Sequence, residues 1–113
     1  MSSDVLSKSA RIAKLSDEFR KTGRGGKTVM TRSVANLPAE IITRAVAIAQ
    51  TFTDFTEDND PHGEHDFFGF EFAGENFFWK CDYYDKEMQF GSDDPSNTDK
   101  TTRVATLMLA SDY

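Results

Sequence analysis

Residues 58–66, DNDPHGEHD, gather more reactive side chains than any other stretch of the chain. Asp58, Asp60, Glu64 and Asp66 supply carboxylates, and His62 and His65 are the only 2 histidines in the sequence. Carboxylate oxygens and imidazole nitrogens are what divalent cations take as ligands. Asp58, Asp60, His62, Glu64 and His65 are therefore the candidate metal set, and a divalent metal is the only cofactor the sequence suggests. Established metal motifs fit poorly. The D-x-D-x-x-G opening of a calcium loop falls on Asp58, Asp60 and Gly63. His62 then stands where Asp or Asn belongs, and Gly69 where a bidentate Glu belongs. The run H-G-E-H is not the helical H-E-x-x-H of zinc proteases. Pairing His62 or His65 with Asp60 or Glu64 would make an acid–base couple, but no nucleophile or oxyanion donor accompanies it. The competing reading is structural: Asp, Asn and Pro build turns, and Asp and Asn side chains bond nearby backbone amides.

A second group lies just downstream. Phe77, Phe78, Trp79, Tyr83 and Tyr84 are interleaved with Asp82 and Asp85. Aromatic side chains on a sheet can stack on bases, but the carboxylates here would repel phosphates. Tyr and Trp also anchor protein interfaces. Trp79, Asp82, Tyr83, Tyr84 and Asp85 are accordingly the candidate surface for a protein partner, set against the plainer reading of a packed aromatic core. Cys81, the only cysteine, reads as a buried thiol, with a Cys–His nucleophile as the remote alternative.

The basic residues sit elsewhere. Arg20, Lys21, Arg24, Lys27 and Arg32 cluster around GRGGKT at residues 23–28. A phosphate-binding P-loop would need Gly at position 21, which is Lys21, and would lead from strand into helix. The cluster remains a candidate contact for nucleic acid or an acidic partner, or a solvated basic face. The net charge of −6 hides this division. Residues 1–50 carry 9 Lys and Arg against 4 Asp and Glu, and residues 51–113 carry 4 against 15. Such asymmetry bears on association rather than on chemistry; the simplest expectation is that the two halves face and partly neutralise each other.

These residues must be positioned by one domain, since 113 residues suit a single core. One cysteine excludes an internal disulfide. No apolar run is long enough for a membrane span, and MSSDVLSKSARIAKL lacks the apolar centre of a secretory signal. The expectation is a cytoplasmic protein with no membrane contact.

Periodicity then places the elements. Val5, Ile12, Leu15 and Phe19 share a helical face over residues 4–22, with Ser3 as cap, Asp4 in the first turn and Gly23 as stop. A short strand is expected at 27–31, and a helix from Asn36-Leu37-Pro38 to about Thr51. Residues 53–66 have neither period and read as a long structured loop. Phe68, Phe70 and Phe72, then Phe77, Trp79, Cys81 and Tyr83, alternate with period two and predict a hairpin turning at Gly74-Glu75. A third strand is expected at 87–91. The final TTRVATLMLASDY is ambiguous; Val104, Leu107 and Met108 suit a helix, its Thr and Val content a strand, and a helix is the expectation. The fold class is α+β, a small antiparallel sheet of three to four strands with about three helices packed on it.

The segments FTEDNDPHGEHDFF, FFWKCDYYD and TTRVATLMLASDY, with RIAKLSDEFRKT, resemble a family of small bacterial proteins of unknown function found on alphaproteobacterial chromosomes and plasmids. The resemblance runs from about residue 11 to residue 113. It implies one cytoplasmic domain and, from residence on mobile elements, an accessory role such as regulation or interference with a host defence. It implies no activity, ligand or catalytic residue. The leading expectation is a small acidic interaction or regulatory protein, with nucleic-acid mimicry as one mechanism. A metal-binding protein or metal-dependent hydrolase and a nucleic-acid binder are the alternatives.

Overall fold

The computed structural model describes residues 6–113. The first helix, α1 (Lys8–Thr22), is capped by Ser7, whose side chain accepts the Ala10 N–H, and Gly23 closes it in the left-handed conformation. The expected Ser3 cap, Asp4 and Val5 lie outside the described residues. Strand β1 (Gly26–Met30) follows, then a one-turn helix α2 (Arg32–Ala35) and α3 (Ala39–Gln50). The sequence suggested no α2. Thr31 caps it, so Asn36 ends this short helix instead of opening the next, and Pro38 stands at the start of α3.

The sheet contains β1, β2 (Phe67–Phe72), β3 (Glu75–Tyr84) and β4 (Thr102–Leu109) in the order β1-β4-β3-β2. The β2–β3 and β3–β4 pairs are antiparallel, while β1 lies parallel to β4. The sheet is therefore mixed, not antiparallel throughout. The parallel pair arises because α2, α3 and the β2–β3 hairpin separate β1 from β4 in sequence; parallel neighbours need such a crossover. Gly26 sits directly beside Arg103 in that pair. A Cβ at Gly26 would fall onto the Arg103 carbonyl, so only glycine lets the backbones approach there.

Two sequence expectations are corrected. The C-terminal segment is strand β4 rather than a helix. Arg103, Ala105 and Leu107 alternate inward and are buried, and β4 pairs on both sides, which suits its β-branched residues. An arginine and an alanine among the inward residues hid the period. Residues 87–91 form no strand; one isolated bridge joins Tyr84 to Gly91. Asp85 instead ties a tight loop, its carboxylate accepting the Gln89 N–H and its backbone N–H donating to Phe90.

The core fixes which face of the sheet is covered. Phe68, Phe77, Trp79, Cys81, Ala105 and Leu107 all point to one side and pack with Phe19, Val34, Ala45 and Ala49 from the helices. The small Ala45 and Ala49 let α3 lie close over the aromatic layer. Facing the other side, Phe67 and Phe78 are covered by Tyr113, with ring centroids 5.5 and 5.7 Å away.

The β2–β3 turn is centred on Ala73-Gly74, one residue earlier than expected, with Phe72 opposite Glu75. Both central residues have positive φ, 55° and 79°. That is the geometry of a primed hairpin turn, in which Asn-Gly is preferred over Ala-Gly. Ala73 therefore holds a left-handed conformation that its Cβ disfavours. Ala73→Asn is expected to raise stability by about 1 kcal/mol, measured as a higher urea midpoint at unchanged slope; a lower midpoint would contradict this account of the turn.

Candidate functional site

Residues 53–66 run from the end of α3 to the start of β2 and are fastened at several points. Asn59 and Thr56 exchange side-chain to backbone hydrogen bonds, and Asn59 also donates to the Asp54 carbonyl. The Asp60 N–H donates to Thr56 O at 2.8 Å and the Gly63 N–H to Asp60 O at 3.0 Å. The loop then meets α1 through His65. Nδ1 of His65 lies 3.0 and 3.1 Å from the two Asp17 carboxylate oxygens. Its Nε2 lies 3.5 Å from Asp60 Oδ2, and its backbone N–H donates to Asp60 Oδ1. The ring stacks on Phe55 with centroids 3.9 Å apart. His65 adopts this pose at φ 58°, an uncommon conformation for a non-glycine residue.

Asp17 also holds Arg20, whose Nη2 donates to it at 2.8 Å and to the Phe52 carbonyl at 3.2 Å. The Arg20 side chain is 1% exposed. Its guanidinium carbon lies 5.4 Å from the ring centres of both Phe55 and Phe68, within cation–π range. The result is a chain of alternating charge and imidazole, Arg20–Asp17–His65–Asp60, with aromatic walls. A cavity of about 90 Å³ opens beside it, bordered by Asp17, Arg20, Lys21, Phe55 and His65.

Of the five expected metal ligands, the fold brings Asp60 and His65 together. Glu64 instead accepts from the Tyr83 hydroxyl at 3.3 Å, and Asp58 and His62 are exposed. Among the described residues, no three His, Cys, Asp or Glu side chains are grouped so that they could hold a metal ion. The decisive partner of His65, Asp17, comes from a helix 48 residues away, and nothing in the spacing of the loop points to it.

The expected partner surface divides across the sheet. Trp79 is 2% exposed and belongs to the core. Tyr83 faces the same side, where its ring covers the Arg103 guanidinium at 5.1 Å. Trp79 is therefore not free to anchor a partner, which corrects the sequence expectation for it, while Tyr83 is half-buried. Asp82, Tyr84 and Asp85 keep partial exposure. In the basic cluster, Lys21, Arg24, Lys27 and Arg32 are exposed, whereas Arg20 is buried and drops out of any nucleic-acid surface. Nor do the two halves of the chain neutralise each other closely. Among the described residues, Lys8–Asp94 is the only Lys or Arg ion pair that joins them.

Burial governs the titrating groups beneath the loop. It pushes the Cys81 thiol up to about 12 and the Tyr83 hydroxyl well above the ordinary tyrosine range. Among the described residues, no hydrogen bond links Cys81 to a histidine; its N–H donates to the Asp66 carbonyl and its thiol points to the Asp82 carbonyl. A protonated, buried thiol is a poor nucleophile. Burial raises the Asp66 carboxyl above its ordinary value, against the pull of its backbone hydrogen bond.

With this geometry in place, comparison with known proteins identifies the family. The family model described as "Protein of unknown function (DUF3768)" matches residues 30–112, and the chain belongs to that family. The match takes in the loop, the hairpin and β4, while Asp17 and Arg20 on α1 lie ahead of it. No curated protein and no solved structure matches the chain. Among the described residues, no helix is long and apolar enough to cross a membrane.

Two outcomes follow from the loop network. Asp17→Ala strands a buried guanidinium, so it is expected to destabilise the fold by about 3 kcal/mol, read from urea unfolding; an unchanged midpoint would show that Asp17 does not carry the network. Asp66 has a folded pKa above its ordinary 3.8, so the folded state holds its proton more tightly than the unfolded state does. Its ionisation therefore removes stability as pH rises from 3.8 through the raised folded value. Asp66→Asn is expected to be more stable than the native protein at neutral pH, with the advantage vanishing below 3.8. Unfolding curves across that range check the sign.

Proposed function

We propose that this family member is a small interaction or regulatory protein that captures a basic protein partner through the loops flanking the C-terminal half of the sheet. One observation carries the reading. Phe90 is 72% exposed and Met88 42% exposed in the same tight loop. Beside them lies an open depression of about 360 Å³, lined by Asp85, Lys86, Glu87, Asp93, Asp99 and Lys100. Four carboxylates against two ammonium groups make it acidic. Met88 keeps its place at φ 60°, an uncommon conformation for a side-chain-bearing residue.

An apolar anchor with a charged rim is the anatomy of a protein interface. Phe90 would fill a pocket on the partner, while the carboxylates steer the encounter. Carboxylates clustered on one surface also suit a face that a nucleic-acid-binding protein reads as phosphate. In this reading the protein works in the cytoplasm as an accessory factor, of the kind carried by bacterial mobile elements, and occupies its partner instead of transforming a substrate. The interaction surface thus lies in the loops at the strand ends, with Asp85 retained from the sequence expectation.

The test uses cross-linking capture followed by kinetics. A specific partner is expected to be captured by the native protein and lost with Phe90→Ala. Asp85→Asn combined with Glu87→Gln is expected to slow association by about tenfold at low salt and to flatten its salt dependence. Glu87 is exposed, and Asp85→Asn keeps a side-chain oxygen that can accept the Gln89 N–H, so the loop is retained. Equal capture by Phe90→Ala, or a salt-independent association rate in the native protein, would contradict the proposal.

A further inference from the structure

Arg103 is the second buried guanidinium among the described residues, and it lacks the paired carboxylate that Arg20 has in Asp17. It is 3% exposed. Its Nη2 donates to the Pro95 carbonyl at 2.7 Å, and the Tyr83 ring lies against it. Its Nε has no hydrogen-bond partner, a feature it shares with Nε and Nη1 of Arg20. Among the described residues, no carboxylate forms an ion pair with it. A buried cation with no ion-paired carboxylate is costly unless an anion comes to it.

A cleft of about 370 Å³ opens at Arg103, between α1, the turn that follows it and the segment leading into β4. That volume is within the range of small-molecule sites. Leu15 and Phe19 give it an apolar wall, and Arg24 adds a second, exposed guanidinium. Among the described residues Glu18 is the only carboxylate lining it, so the two arginines leave it positive. The turn is held in register with Arg103: the Arg103 N–H donates to the Gly25 carbonyl at 3.1 Å, and the Arg24 N–H donates to Thr22 Oγ1 at 3.1 Å.

We propose that this cleft binds a small organic anion, its carboxylate or phosphoryl group placed between Arg103 and Arg24 and its flat apolar body against Leu15 and Phe19. Guanidinium pairs suit planar or tetrahedral oxyanions because their N–H groups can donate in parallel. The inference stands apart from the acidic depression and does not depend on it.

Three probes decide it by two-dimensional amide NMR: phenyl phosphate, benzoate and the neutral benzyl alcohol. Saturable shifts are expected at Arg24, Gly25, Thr101 and Arg103 with one or both anions, and none with benzyl alcohol. Whichever anion binds more tightly distinguishes a phosphoryl from a carboxylate site. Arg24→Ala, at an exposed position that leaves the fold intact, is expected to weaken binding about tenfold. Glu18→Gln is expected to tighten it. No saturable shift with either anion at low millimolar concentration, equal shifts with benzyl alcohol, or unchanged affinity in Arg24→Ala would overturn the proposal.

Discussion

A single guanidinium, that of Arg20, joins the three parts of this fold that the sequence keeps apart. It projects from α1, lies between Phe55 of the long loop and Phe68 of β2, and bonds the carbonyl that ends the α3 segment at Phe52. Burying that charge is tolerable only because Asp17, one turn earlier, meets it at 2.8 Å. Asp17 then has a second task, since the same carboxylate receives His65. A buried ion pair adds little net stability compared with an apolar replacement. What it supplies here is a tie: Nη2 of Arg20 bonds Asp17 and the Phe52 carbonyl, and the guanidinium lies between Phe55 and Phe68, while its Nε and Nη1 have no hydrogen-bond partner.

That constraint changes the meaning of the loop. Its histidine and carboxylates have the composition of a metal or acid–base site, and one histidine does sit between two carboxylates. Yet His65 is engaged on both ring nitrogens and on one face by Phe55, while His62 and Asp58 stand in solvent. The geometry accounts for the loop as a tie between elements. The acidic excess of the second half of the chain gathers in the depression beside Phe90, while Arg24 of the basic half and Arg103 of the acidic half meet at the cleft beside α1.

Much of the fold was legible because its periods are clean. The Phe68-Phe70-Phe72 and Phe77-Trp79-Cys81 alternation fixed the hairpin and its inward face, and the apolar spacing of α1 pointed to Ile12 and Phe19 of its buried stripe but not to Ser16 and Arg20. β4 was harder because its inward residues include Arg103 and Ala105, which carry no hydrophobic signal, while Val104 and Met108 point the other way. The parallel pairing of β1 depends on a crossover that local pattern does not encode. At the site, the candidates were legible as residue types only. Arg20 looks like one more surface cation on an amphipathic helix, and its aromatic walls lie more than thirty residues downstream. Trp79 looked like an anchor because sequence alternation shows which residues share a face, not whether helices cover that face.

Native-state hydrogen exchange, read residue by residue, tests most directly the claim that the loop is scaffold fastened through Arg20 and Asp17. The amides of Asp60, Gly63 and His65 all donate within the loop. They are expected to exchange far more slowly than an unstructured chain in the native protein, and to lose that protection in Arg20→Met while the hairpin amides of β3 keep theirs. Rapid exchange at all three amides in the native protein, or protection untouched by the Arg20 substitution, would contradict the account.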